Sequence, residues 1–372
     1  MVDAEEEIPT LDAHRAQPSH RDSRRAGRQG SQVVHRKPRR KADWQGLPMA
    51  ERRQWRRGMF IDHPDVQQVV VDALEYVDYC VEAGESTAMH VIAESGAGKT
   101  TLVVELSRIL TERFWRDHPE KTIVPALRLQ PPTPCTPAEL CYAILEALGD
   151  PHARRRKHIE QTGNLTKLTA RMMTECEVRI VLFDNFQDIP SARRARGIEQ
   201  VGVRLRDLID ASCCVWMFLG THDSREVINA KSQLLKRVPY SKEIRYFTIE
   251  GNGARFFLRL LERLDEWLPL AESSWVLLKE LSGRIFIATE GVLDRLTKLL
   301  DNACRCAVRA GREVLVKQDL HAAFAKTFGS DHPNPFHDAF VVRRLDGPNE
   351  PYEKFGASAH ARTRAARYGA GQ

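Results

Sequence analysis

Two spacings of apolar residues alternate along the chain. Val66, Val69, Val70, Ala73, Leu74, Val77 and Val81 recur every three or four positions, which predicts a helix over 64–83 with one buried face. Met89 to Ile92 is a short run suited to a buried strand. Helical spacing returns over 99–110, where Leu102, Val103, Leu106, Ile109 and Leu110 share a side. The alternation continues with a strand at 123–129, a helix at 138–148 (Leu140, Ile144, Leu145, Leu148) and a helix at 164–175. A strand at 180–183, a helix at 196–210, a strand at 214–220 and a last strand at 244–249 follow. Pro131, Pro132, Pro134 and Pro137 stiffen the connection into the 138–148 helix, which ends at Gly149. Strands alternating with helices predict an α/β fold with a parallel sheet between helices.

From about residue 251 only helical spacing remains, at 253–265, 272–282, 291–310 and 317–327, with Gly-containing or polar breaks between. That predicts a C-terminal helical lid on the sheet domain. The expected division is a disordered basic arm over 1–50, the sheet domain over 51–250, the lid over 251–330 and a disordered tail over 331–372. Arm and tail lack the apolar content needed to fold alone. No internal repeat is visible.

The first strand-to-helix junction carries the strongest chemical signal. Glu94-Ser95-Gly96-Ala97-Gly98-Lys99-Thr100-Thr101 lies between a strand and a helix, the context a Walker A motif requires. In such a P-loop, backbone N–H groups and the helix N-terminus cradle the phosphates of ATP. Lys99 neutralises the β- and γ-phosphates and the Thr100 hydroxyl ligates Mg2+. The pattern asks for Gly six positions before the lysine, and this chain has Ala93. Alanine is the smallest substitute, so altered tightness is expected and not loss of binding.

Asp184 closes the apolar strand 180–183, where an open α/β sheet places its ligand-binding residues, and is the expected second magnesium partner, through water. Asn185 follows it. An amide orients water but cannot take a proton. Asp188, or a residue of a neighbouring subunit, is the alternative base. Thr221, at the tip of the 214–220 strand, either senses the nucleotide or caps the next turn. Arg237 either reaches a neighbour's γ-phosphate as an arginine finger or is a surface residue at a helix end. Arg295, early in the third lid helix, is a lid contact or a solvated side chain.

Charge sharpens the picture of the ends. The net charge is +6, and residues 1–60 alone hold 14 Lys+Arg against 8 Asp+Glu, so the remaining chain is balanced. Arg21, Arg24, Arg25, Arg28, Arg36, Lys37, Arg39, Arg40 and Lys41 are followed by Arg52, Arg53, Arg56 and Arg57, with Trp44 and Trp55 between. This reads as a salt-sensitive contact with nucleic-acid phosphates or as a solubilising tail. Arg193, Arg194 and Arg196 admit the same two readings. Nothing approaches the roughly 18 apolar residues of a membrane span, and Met1 to Thr10 is acidic, so neither membrane nor secretion is expected. The eight scattered cysteines form no CxxC pair and read as reduced core thiols of a cytoplasmic protein.

With these motifs in order, the chain resembles the TniB family, the AAA+ ATPases of transposons related to the TnsC regulators and more distantly to helicase loaders. The matching blocks are Phe60 to Pro64, Ala93 to Thr101, Leu129 to Pro134, Leu140 to Pro151, Val178 to Gln187, Leu219 to Thr221, Gln233 to Arg237, and Thr289 through Phe324. The resemblance covers about 58–328. Ala93 and Asn185 depart from it; AAA+ proteins normally have Glu at the latter position, so slow turnover is expected. The resemblance implies ATP-driven assembly of a homo-oligomeric ring or filament on double-stranded DNA, which marks a target and recruits transposase and a target-selection protein. It makes Thr221 the sensor-1 and Arg295 the sensor-2 candidate. The alternatives are an ATP-held DNA scaffold with little turnover, and a helicase-loader or defence NTPase.

Overall fold

The structure, a computed structural model, describes residues 37–53, 55, 59, 63–154, 164–189, 195–229, 232–329 and 333–341, with backbone only over 195–199 and 232–233. Helix α1, Pro64–Ala83, starts where His63 Nδ1 accepts the Asp65 N–H at 3.1 Å and ends at Gly84, whose φ of 67° suits glycine. Strand β1 (Thr87–Ala93) leads through a loop into α2 (Lys99–Phe114). Strand β2 (Ala126–Leu129), α3 (Pro137–Ala147) and α4 (Asn164–Glu175) follow. Then come β3 (Ile180–Phe183), α5 (Ala195–Ala211), β4 (Val215–Gly220), α6 (Ser224–Asn229), α7 (Ser232–Arg237) and β5 (Tyr240–Ile244). All pairings are parallel, in the order β2-β3-β4-β1-β5.

Both sheet faces are covered, which is why the strands read as continuous apolar runs. Alternate residues divide between two cores. Ile180, Leu182, Val215, Met217 and Leu219 face α1 and α2, while Val181, Phe183, Trp216 and Phe218 face α3, α4 and α5. The parallel register sets the tip of β4 beside the end of β1, with Ile92 opposite Gly220.

Two strands differ from expectation. β2 begins at Ala126, not at 123, because Pro125 has no N–H to give the ladder; its carbonyl accepts from Arg179 and Ile180 instead. β5 runs Tyr240–Ile244, not 244–249. It pairs with Met89 to Ala93, and beyond Ala93 the chain leaves the sheet, so residues after Ile244 have no partner strand.

The remaining helices, α8 (Gly253–Trp267), α9 (Trp275–Glu280), α10 (Ser282–Thr289), α11 (Leu293–Arg309) and α12 (Lys317–Phe328), surround a core of their own. The helix expected over 272–282 is the shorter α9, and α10 forms in the stretch expected to be a break before the next helix. The ends of the chain also differ from the expected disorder. Lys41–Trp44 forms a 3-10 turn and Met49–Arg52 a helical turn, and Trp44 and Trp55 are buried in the lid core. Phe336 is buried there too, and Arg284 donates to the Phe340 carbonyl at 3.0 Å. Aromatic residues that find an apolar partner in the lid override the polar composition around them. The arm before residue 37 and the tail after 341 lie outside the described residues. Of the cysteines, Cys80, Cys141, Cys176, Cys214 and Cys304 are buried and Cys213 is exposed.

Candidate nucleotide-binding site

The carboxyl ends of β1, β3 and β4 bring three sequence candidates together. Ala93 ends β1, Asp184 follows β3 and Thr221 follows β4. The loop Glu94 to Gly98 turns sharply, with Gly96 at φ 82° and Gly98 at φ 113°, conformations that glycine adopts without strain. Thr100 and Thr101 lie in the first turn of α2, whose unpaired N–H groups face the loop. Ala93 is extended, fully buried and in register with Ile244, so its backbone does not require glycine.

Lys99 Nζ donates to the Ala93 carbonyl, folding the side chain back across the loop. Burial pushes the lysine pKa down, and the neighbouring Asp184 and Glu94 carboxylates oppose that shift. Glu94 Oε1 accepts the His222 N–H at 3.3 Å, tying the loop to the tip of β4. Asp184 Oδ1 accepts the Asn185 N–H at 2.8 Å. Asn185 itself sits at φ 54°, ψ 39°, a left-handed conformation in which Asn is several-fold enriched. Asp188, the alternative base, is exposed on the 3-10 turn Phe186–Asp188.

Sequence reasoning missed the residues that join these tips. Gln187 Oε1 accepts the Thr221 N–H at 3.2 Å, linking the Asp184 turn to the β4 tip. Beneath it, Ser224 Oγ donates to the Thr221 carbonyl at 2.5 Å and lies 2.8 Å from His90 Nε2. With its only proton committed, the serine accepts, so His90 is the Nε2–H tautomer. Thr221 thereby opens the turn into α6 while standing at the site edge. A histidine inside an apolar strand was the available signal.

Burial, then the charges of Arg225 and His222, push the His90 pKa down to about 4. Between that value and the ordinary 6.5, the unfolded chain holds a proton the native chain lacks. Stability from this group is therefore intact above pH 6.5 and lost by pH 4. The loss is on the order of 3 kcal/mol. Urea midpoints at pH 7 and pH 4.5 should fall further for the wild type than for His90→Gln; equal falls would refute the assignment.

The lid closes over this loop. A Cβ on Gly96 would lie 2.9 Å from Val292 Cγ1 and 3.1 Å from Asp294 Cβ, and the Tyr246 hydroxyl donates to the Ser95 carbonyl at 3.0 Å. Arg295, in the same first turn of α11 as Asp294, is paired with Glu290 at 2.8 Å.

The family described as Bacterial TniB protein matches residues 52–244, more than half of the chain. The chain belongs to the TniB family. Its fold is that of P-loop AAA+ ATPases. The ADP form of ORC2 from Aeropyrum pernix is 17% identical, with a TM-score of 0.51, over 75% of this chain and 73% of that one. Cdc6p from Pyrobaculum aerophilum is 15% identical, with a TM-score of 0.52, over 72% of this chain and 68% of that one. No curated protein matches in sequence.

In this TniB-family chain, one described candidate stands away from the P-loop. Arg237 is half exposed and holds Asp210 through two bonds of 2.6 and 3.0 Å. Both residues lie toward the amino ends of β4 and β5, across the sheet from the P-loop. Arg193, Arg194 and the Arg196 side chain lie outside the described residues. No helix among the described residues is long and apolar enough to cross a membrane.

Proposed function

We propose that this TniB-family chain is an ATP-dependent switch that assembles on double-stranded DNA, marks a target site and recruits transposase. The observation that carries the reading is the meeting at the P-loop of Asp184, beside Lys99, and of lid helix α11, against Gly96. In this reading, the N–H groups of Ser95 to Thr100 hold the phosphates, and Lys99 leaves the Ala93 carbonyl for the β- and γ-oxygens. The Thr100 hydroxyl and the Asp184 carboxylate are hard oxygen donors of the kind Mg2+ selects, so the residues fit that ion. When bound, the ion would neutralise charge at the phosphates. Thr221, held by Gln187 and Ser224, orients water beside the γ-phosphate. Arg237 lies away from its own P-loop and holds Asp210, so in this reading it leaves Asp210 to reach the γ-phosphate of a neighbouring copy, and otherwise it is a surface residue at a helix end.

A second reading rests on Asn185. Without an adjacent carboxylate the chain would bind ATP and remain assembled, acting as a scaffold with little turnover. Phosphate release with and without duplex DNA, beside electron microscopy of the same mixtures, separates the two. Ordered assemblies with DNA-stimulated release are expected from the switch, and assemblies without release from the scaffold. Neither assembly nor release would sink both and point to another NTPase role.

A further inference from the structure

The segment that roots the basic arm is fastened to the lid, not to the sheet domain whose sequence it precedes. Arg52, 1% exposed, donates from Nη1 and Nη2 to the two Glu313 oxygens at 2.7 Å each. It also donates to the carbonyls of Pro269 and Leu47, both at 2.8 Å. This bidentate pair is a strong, directional form of ion pair, and the arginine holds the Glu313 pKa below its ordinary value. Lys41 is the second fastening, bonded to the Asp265 carbonyl at the end of α8. Trp55 is the third. Its ring is buried and its indole N–H donates to Asp301 Oδ1 at 3.0 Å.

Asp301 belongs to α11, the helix whose first turn presses on the P-loop at Gly96. Asp294 and Asp301 are seven residues apart, two turns of one rigid helix, about 10 Å along its axis. The first turn of α11 therefore touches the P-loop, and Asp301, two turns on, holds Trp55 of the strap. A helix shifts as a body, so displacement at Asp294 appears at Trp55 without passing through the sheet. Upstream of the fastenings, Lys37, Arg39 and Arg40 are exposed, and the sequence continues into the basic run from Arg21 to Arg36.

We infer that residues 41–55 are a strap by which the lid carries the basic arm, so that the nucleotide in the cleft sets how well the arm grips DNA phosphates. The inference deepens the function proposed above and rests on it. ATP and ADP shift the arm only to the extent that they bind the two lid positions with different affinity.

The test uses the full chain with a labelled duplex, in ATP with magnesium and in ADP. Wild type is expected to bind DNA at least about tenfold more tightly with ATP, within the usual range of coupling between sites. Trp55→Phe removes the Asp301 bond and keeps the ring, and Glu313→Gln removes the charge opposite Arg52. Each should bring the ATP/ADP ratio to within about twofold while affinity for a fluorescent ADP analogue stays as in wild type. Removal of residues 1–36, which leaves the strap, should weaken DNA binding in both nucleotide states and reduce the salt slope. Strap variants that keep the wild-type ratio would overturn the inference. So would a wild type with no ratio whose DNA affinity nonetheless falls on arm removal. A chain that binds no nucleotide would overturn the inference together with the proposed function, and the analogue titration identifies that case before any DNA is added.

Discussion

Lys99→Ala is expected to weaken nucleotide binding by about 10²- to 10³-fold and to abolish ordered assembly on DNA. The magnitude follows from the hydrogen bonds that the proposed binding mode assigns to the amine. A charge-assisted hydrogen bond contributes about 1.5–3 kcal/mol, and in that mode the lysine would make more than one to the β- and γ-phosphates. Burial already lowers its pKa, opposed by the Asp184 and Glu94 carboxylates. The apo fold should suffer little. The substitution leaves the Ala93 carbonyl without the Lys99 bond, a loss of roughly 1 kcal/mol. Calorimetric titration with ADP reads the affinity, and thermal melting without nucleotide confirms the fold. A variant that melts normally and still assembles on DNA would refute an ATP switch.

Asn185→Glu is expected to raise phosphate release by about 10²-fold or more, since a general base contributes roughly 10²–10⁴-fold. The gain is set against a local penalty. At φ 54° the backbone is in the region Asn tolerates and Glu does not favour, so a loss of about 1 kcal/mol in stability should accompany the faster turnover. Asn185→Gln carries the same backbone penalty with no carboxylate, and should not accelerate. An Asn185→Glu rate no higher than wild type, with nucleotide still bound, would place the proton acceptor elsewhere. Asp188 or a neighbouring copy then becomes the candidate.

The P-loop, the Asp184 strand and the strand–helix alternation were legible because each is local: a run of neighbours in sequence determines it. α1, α4 and β3 coincide with their expected bounds for that reason. What depends on a distant partner was not legible. β5 is defined by how far β1 extends, and no pattern within 240–249 says so. The arm's polar composition concealed Trp44, Arg52 and Trp55, because the lid core buries the tryptophans and the lid partners of Arg52 and Trp55 lie 217 to 261 residues further along the chain. At the site, the Gln187–Thr221 bond depends on the β3–β4 register and the Ser224–His90 bond on the β1–β4 register, which spacing along the chain does not encode. That the backbone at Ala93 does not require glycine became visible only with the strand in place.

The sheet's two outer strands carry a further consequence. Among the described residues β2 has four residues and β5 five, with Arg128 exposed on one and Lys242 and Glu243 half-buried on the other. Short, charged borders resist the edge-to-edge strand pairing that turns crowded proteins into insoluble aggregates. In the assembly proposed above, copies crowded along a duplex would need that protection most, and would meet through helices and loops instead of strand edges.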